Sequence, residues 1–284
     1  MSIPLDREEY VEQAYFFRTF RERMADNLPA QDVLVSLHQE LLSSTRLPMA
    51  VQFLATEARH SGLLATGLER LTHYFTPFQA FVVRQAEGEG RGIIMPTALL
   101  VLEREAAYKA NSPTRPGLFV YQFETLCRNR LGYLDGITAM ADDPFYDADW
   151  KSYLNAVRMQ VGVLDFADLL YVRSEFAVQE MRRRNPAFEP SVPILFGEKE
   201  GKIARASRGR DPLYLFAALQ RQLGYPEVPR AKPKDDAATK LELMATKMRE
   251  LEQRLKLLES ETRGGPIDLS QFGKPDLLKD DDEE

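Results

Sequence analysis

Cysteine is nearly missing: Cys127 is the one thiol in 284 residues. No intrachain disulfide can form, and the composition suits a reducing compartment. Histidine is almost as scarce, with His38, His60 and His73 the whole supply. Glu57 and His60 are spaced as a Glu-x-x-His pair, but a di-iron bundle needs a second such pair, and the chain lacks one. Long apolar runs are missing too. The longest, Ile93 to Leu102, contains Pro96 and is about half of the roughly 20 residues a bilayer span requires. The opening stretch, Met1 to Gln13, turns acidic at once and has no apolar h-region, so no secretory signal is expected and the expected location is cytoplasmic. Strand-type alternation is rare and no repeat recurs at a fixed period, which excludes a regular solenoid.

What remains is ordinary globular composition, 44% hydrophobic and 28% charged, with enough length for one large domain or two smaller ones. The net charge of −6 is unevenly spread. Residues 1–172 carry −6, residues 173–234 carry +6 and residues 235–284 carry −6. The middle segment could therefore take an anionic ligand, or the acidic tail of its own chain.

The dominant period up to about Arg183 is helical, and the fold class is all-α, a multi-helix bundle or irregular helical array. Asp6 caps a first helix through Tyr10, Phe17 and Phe20. A second runs through Val33 to Leu41, a third from Leu47-Pro48 to Leu71, and a fourth starts at Pro77. Gly88, Gly90 and Gly92 form a loop; the third glycine has the wrong spacing for a dinucleotide fingerprint. A fifth helix starts at Pro96-Thr97. Longer helices follow over about Leu118 to Met140 and Trp150 to Met181, the last bent near Gly162. Ile194 to Phe196 and Lys202 to Ala204, separated by a glycine-bounded run, are expected to pair as a small β-hairpin near 194–204. Asp211-Pro212 opens a helix that Gly224 closes. The domain reading is a helical body over 1–185, a small basic subdomain packed on it over 186–225, a linker over 226–236, a coiled-coil helix over 237–262 and a disordered acidic tail over 263–284.

The strongest signal is the heptad seam. Leu241, Met244, Met248, Leu251, Leu255 and Leu258 alternate spacings of three and four for about three heptads. With Leu241 at a, Lys247 faces Glu252 and Arg254 faces Glu259 on a parallel neighbour. Methionine at two seam positions makes the seam soft, and Leu243 and Leu257 widen it. Dimer and trimer both stay open, as does packing of the helix on its own chain.

Asp142-Asp143-Pro-Phe-Tyr-Asp147 resembles the aspartate-rich motif of isoprenoid synthases, which are also all-helical. The resemblance implies Mg²⁺ ions held by Asp142, Asp143 and Asp147 for a diphosphate substrate, with Asp165, Asp168 and Glu175 as opposing ligands. Pro144 interrupts the motif, and the second metal signature of that family is absent. The competing reading is a helix-ending loop whose aspartates cap the helix from Trp150. In the basic segment 182–210, Arg205, Arg208 and Arg210 precede the helix at Pro212, where arginines beside free amides make an anion or RNA contact conceivable. In the tail, Leu269, Phe272, Leu277 and Leu278 sit in an acidic setting suited to docking in a partner's groove. Cys127, with no histidine near it in sequence, reads as buried and inert.

These features add up to a non-enzymatic cytoplasmic scaffold or adaptor. It would self-associate through the heptad helix, use no cofactor and bind a partner protein through its tail. No residue is assigned a catalytic, cofactor or metal role. The Mg²⁺-dependent enzyme and the anion- or RNA-contacting protein are the alternatives.

Overall fold

Apolar residues at helical spacing, interrupted by caps and prolines, give helices wherever the sequence lets a stripe face the interior. A computed structural model describes residues 4–26, 28–88 and 93–230, together with Met244 and Met248. Among the described residues the elements are helices, with two isolated bridges and no strand. The first half holds α1 (Arg7–Ala25), α2 (Ala30–Glu40), α3 (Leu47–Ser61), α4 (Leu64–Arg70), α5 (Pro77–Glu87) and α6 (Met95–Ala110). Then come α7 (Arg115–Arg128), α8 (Tyr133–Ala141), α9 (Ala148–Gln160) and α10 (Phe166–Tyr171). The series ends with α11 (Glu175–Arg184), α12 (Glu198–Ala206) and α13 (Pro212–Leu223).

The backbone divides into two compact units, residues 1–231 and 232–284. In the first, α1 lies along α6, α2 packs on α3, and α5 bridges α6 and α8. Helix α7 sits among α6, α8 and α13, while α12 touches α10, α11 and α13. One end of the core is built on Phe16, Phe17, Phe20 and Phe75. The other gathers aromatic rings around Phe119, whose neighbours Tyr153, Trp150 and Phe196 lie 5.4, 5.6 and 5.9 Å away between ring centres. Phe123 and Phe166 stack in parallel at 4.0 Å. Burying rings of this size supplies the largest single side-chain contributions to a helical core.

The helix starts legible in the sequence follow from capping. Thr76 and Gln79 form a reciprocal capping box before Pro77, and Asp147, Asp165, Ser174 and Asp211 each accept a backbone N–H from the first turn of the helix that follows. Several long helices are corrected into shorter ones. The expected third helix stops at Gly62, at φ +72°, where a side chain would be strained, and α4 starts after it. The 118–140 helix divides between Asn129 and Gly132, with Arg130 at φ +53°. The 150–181 helix becomes α9, α10 and α11, broken at Gly162 (φ +86°) and again at the Ser174 cap.

The expected hairpin near 194–204 does not form. Residues 198–206 are helix α12, with Glu198 and Glu200 in its first turn, where negative charge suits the helix dipole. Gly201 is therefore no turn residue. A β-carbon there would collide with the Ser174 hydroxyl, so the glycine permits close packing. Leu195 and Phe196 turn instead to the segment before α11: both N–H groups donate to Arg173 O, at 2.9 and 3.1 Å, and Glu175 N–H donates to Phe196 O at 3.0 Å. Past α13, Tyr225 and Val228 are buried and Asn129 donates to Pro229 O at 3.1 Å, which ties residues 225–229 to α7. None of the helices of the described residues is long and apolar enough to cross a membrane.

Candidate functional site

The aspartate-rich turn links α8 to α9, and its backbone sends the three carboxylates three different ways. Asp142 closes α8 and is exposed. Pro144 cannot donate a backbone N–H, and Asp143 accepts the next one, from Phe145, at 2.9 Å. Asp147 accepts the Trp150 N–H at 3.0 Å as the N-cap of α9 and pairs with Arg115 at 2.9 Å. Asp165 caps α10 and accepts the Gly209 N–H at 2.9 Å, and Asp168 pairs with Arg208. Among the described residues no three His, Cys, Asp or Glu side chains are placed to share a metal ion. The capping reading of Asp147 is the one the geometry follows.

Asp143 turns inward, and sequence reasoning missed what it meets. Its Oδ2 accepts from Lys109 Nζ at 2.8 Å, and Lys109 lies 3.1 Å from Glu105 Oε1; all three side chains have 0% exposure. Gln122 Nε2 donates to Glu105 Oε1 at 2.7 Å and approaches Asp143 Oδ2 at 3.4 Å. Tyr146 donates to Gln122 Oε1 at 2.8 Å. Burial alone would lower the Lys109 ammonium, yet the acidic groups around it, Asp143 first, outweigh burial and hold it above its ordinary range. Burial pushes Glu105 up; Lys109 opposes that shift and Asp143 adds to it. The sequence offered one signal for this cluster, an i,i+4 Glu–Lys pair ending an apolar helix, which ordinarily reads as surface.

Two hollows flank this corner. One of about 300 Å³ between α5 and α8 has a floor of Leu68, Phe75, Phe81 and Ala139, with Asp135 and Asp142 on its rim. The other, of about 490 Å³, is lined by Arg7, Tyr10, Lys109, Asn111 and Phe145 among others.

The remaining sequence candidates fall in separate places. Arg205 pairs with Glu180 and lies over the Phe176 ring at 5.9 Å. Arg208 pairs with Asp168 and stacks over Tyr171 at 4.3 Å. Arg210 is exposed in the turn before α13. The structure thus occupies two of the three arginines with carboxylates of the same unit. His60 is exposed, and Glu57, the other member of the Glu-x-x-His spacing, pairs with Arg70 at 2.7 Å. Cys127 is partly buried, receives the Tyr133 hydroxyl at 3.3 Å, and burial pushes its thiol up to about 11. A thiol with that pKa is poorly nucleophilic at neutral pH. Gly88 ends α5, while Gly90 and Gly92 lie outside the described residues.

Of the seam, Met244 and Met248 are helical and 65% and 63% exposed. Leu241, Leu251, Leu255 and Leu258 lie outside the described residues, as do Leu269, Phe272, Leu277 and Leu278 of the tail. No family model matches the chain, and neither a curated protein nor a solved structure matches it.

Proposed function

We propose that the protein is a non-enzymatic scaffold or adaptor that self-associates, as dimer or trimer, through the helix of residues 237–262 and offers residues 263–284 to a partner protein. One observation carries the reading. Met244 and Met248, each helical and four residues apart in sequence, turn their side chains to water at 65% and 63% exposure. Apolar side chains exposed in this way gain about 25 cal/mol for each Å² they hide, and a second copy of the same helix would hide them. Leu241, Leu251, Leu255 and Leu258 extend the stripe in sequence, and the flanking charges complement a parallel copy. Gathering copies raises the effective concentration of every weak site they carry, which is the physical gain of a scaffold.

The alternatives draw less support. An Mg²⁺ enzyme needs its aspartates to converge, whereas Asp143 and Asp147 are engaged with Lys109 and Arg115. An anion site in the basic segment needs free arginines, whereas Arg205 and Arg208 are paired. The test is Leu251→Asp with Leu255→Asp in the full chain, followed by light scattering on a sizing column. The mass falls to that of one chain while the helical circular dichroism persists. An unchanged mass for the variant, or a wild type that already runs as a single chain, rejects self-association through this helix.

A further inference from the structure

The enclosed corner between α6 and the α8–α9 turn holds two carboxyl groups against one ammonium, all with 0% side-chain exposure. A count of donors separates the two carboxyls. Asp143 accepts three: the Phe145 N–H at 2.9 Å on Oδ1, then Lys109 at 2.8 Å and Gln122 at 3.4 Å on Oδ2. Glu105 accepts two, Gln122 at 2.7 Å and Lys109 at 3.1 Å, both on Oε1. Its Oε2 is buried and meets no donor.

Helices α1, α5 and α7 and the α8–α9 turn supply no second compensating charge for Glu105. Helix α1 presents Tyr10, whose hydroxyl accepts the Leu5 N–H. Helix α7 presents Gln122 and Tyr121, the latter donating to Val101 O. The turn presents Asp143 and Tyr146, which donates to Gln122. Other cations on these helices point elsewhere: Arg18 is exposed beside Tyr15, and Arg23 holds Glu40. On α1, Arg7 donates to Ala110 O, Glu9 holds Arg46, Glu12 accepts the Leu42 N–H and Arg21 holds Glu103. On α5, Arg84 holds Glu69, and Glu87 accepts the N–H groups of Leu64 and Ala65. On α6 itself, Arg104 reaches Glu227, and on α7 Glu124 takes Arg128. Lys109 is therefore the one cation against Glu105 among the described residues.

We propose that Glu105 is a proton-binding site: the folded chain keeps this carboxyl neutral and takes up one proton from solvent as the corner forms. One ammonium neutralises one buried carboxylate. A second buried negative charge has no partner, and an enclosed acid in that position takes a proton instead of keeping the charge. Asp143, with three donors and the shorter contact to Lys109, is the carboxyl that the ammonium pairs with most closely. The upward push of burial on Glu105 agrees with this assignment.

An unfolded glutamate titrates near 4.3, and above that pH it has lost its proton. The folded chain still holds one, so unfolding releases it. The contribution to stability is complete below about pH 4.3 and is lost as pH rises through the folded value of Glu105. Within that window this group lowers the folding equilibrium by up to about tenfold per pH unit.

The test uses the full chain and its Glu105→Gln variant, unfolded by urea at intervals from about pH 5.5 to about pH 8.5. The wild type loses stability with rising pH more steeply than the variant, by up to about tenfold per unit in the folding equilibrium. Infrared spectra of the folded wild type show the C=O stretch of a protonated carboxyl, shifted in D₂O and absent from the variant. Parallel pH profiles, or spectra with no acid band to lose, overturn the assignment. If the variant fails to fold, wild type carrying ¹³C-glutamate decides: an isotope-shifted acid band near neutral pH supports it, and carboxylate bands alone reject it.

Discussion

Two groups of ion pairs in the first unit use the same chemistry in opposite settings. Lys109 meets Glu105 and Asp143 with no side-chain exposure. Arg205 and Arg208 meet Glu180 and Asp168 at 46% and 42% exposure. The enclosed cluster is hydrogen-bonded through Gln122 and Tyr146, so each member depends on the others. The arginine pairs sit in water, where the same Coulomb attraction is worth little after screening and side-chain ordering. Depth, and not the type of pair, separates a structural cluster from a surface decoration.

That contrast can be broken from its strong side first. Lys109→Met strands Asp143 without its cation, and breaking a buried pair this way costs about 3–5 kcal/mol, read as a shift in urea midpoint at neutral pH. Adding Asp143→Asn to that variant recovers a large part of the loss, because the stranded charge is gone; strict additivity of the two changes would show the pair to be uncoupled. Gln122→Leu comes next. It removes the donor to Glu105 and the acceptor for Tyr146, at about 1–3 kcal/mol by the same measurement. The smallest effect belongs to Arg208→Ala, at most about 1 kcal/mol, part of it the stacking over Tyr171. The ionic part shrinks in 1 M salt, where screening acts over about 3 Å. A loss at Arg208 as large as that at Lys109 would erase the distinction between the two groups.

Much of the fold was legible because helix boundaries are local chemistry. Pro77, Asp147 and Asp211-Pro212 mark starts, and Gly224 marks an end, through groups within one turn of the boundary; Asp6 stands at the start of α1, but its side chain makes no capping hydrogen bond. The missed breaks share one cause. At Gly62, Arg130 and Ser174 the apolar spacing resumes so soon after the turn that a helical period runs through it, whereas Gly162, expected as a bend, is a full break. The hairpin error is of another kind: short apolar runs such as 194–196 and 202–204 carry no decisive period, and what 195–196 pairs with is the distant backbone of Arg173. The candidate site was legible only in part. Asp147 as a cap could be read from its neighbours, whereas Asp143 beside it could not be assigned to Lys109, 34 residues away.

By itself the sequence determined the helical class, the capped helix starts and the heptad stripe from Leu241 to Leu258, since each rests on side chains within a turn or two of one another. Tertiary structure alone decided which charges are buried. Glu105 and Lys109 have the spacing of an ordinary surface pair, and it is the packing of α1, α7 and the Asp143 turn over them that removes water. Desolvation depends on what lies across the molecule, and no local pattern records it.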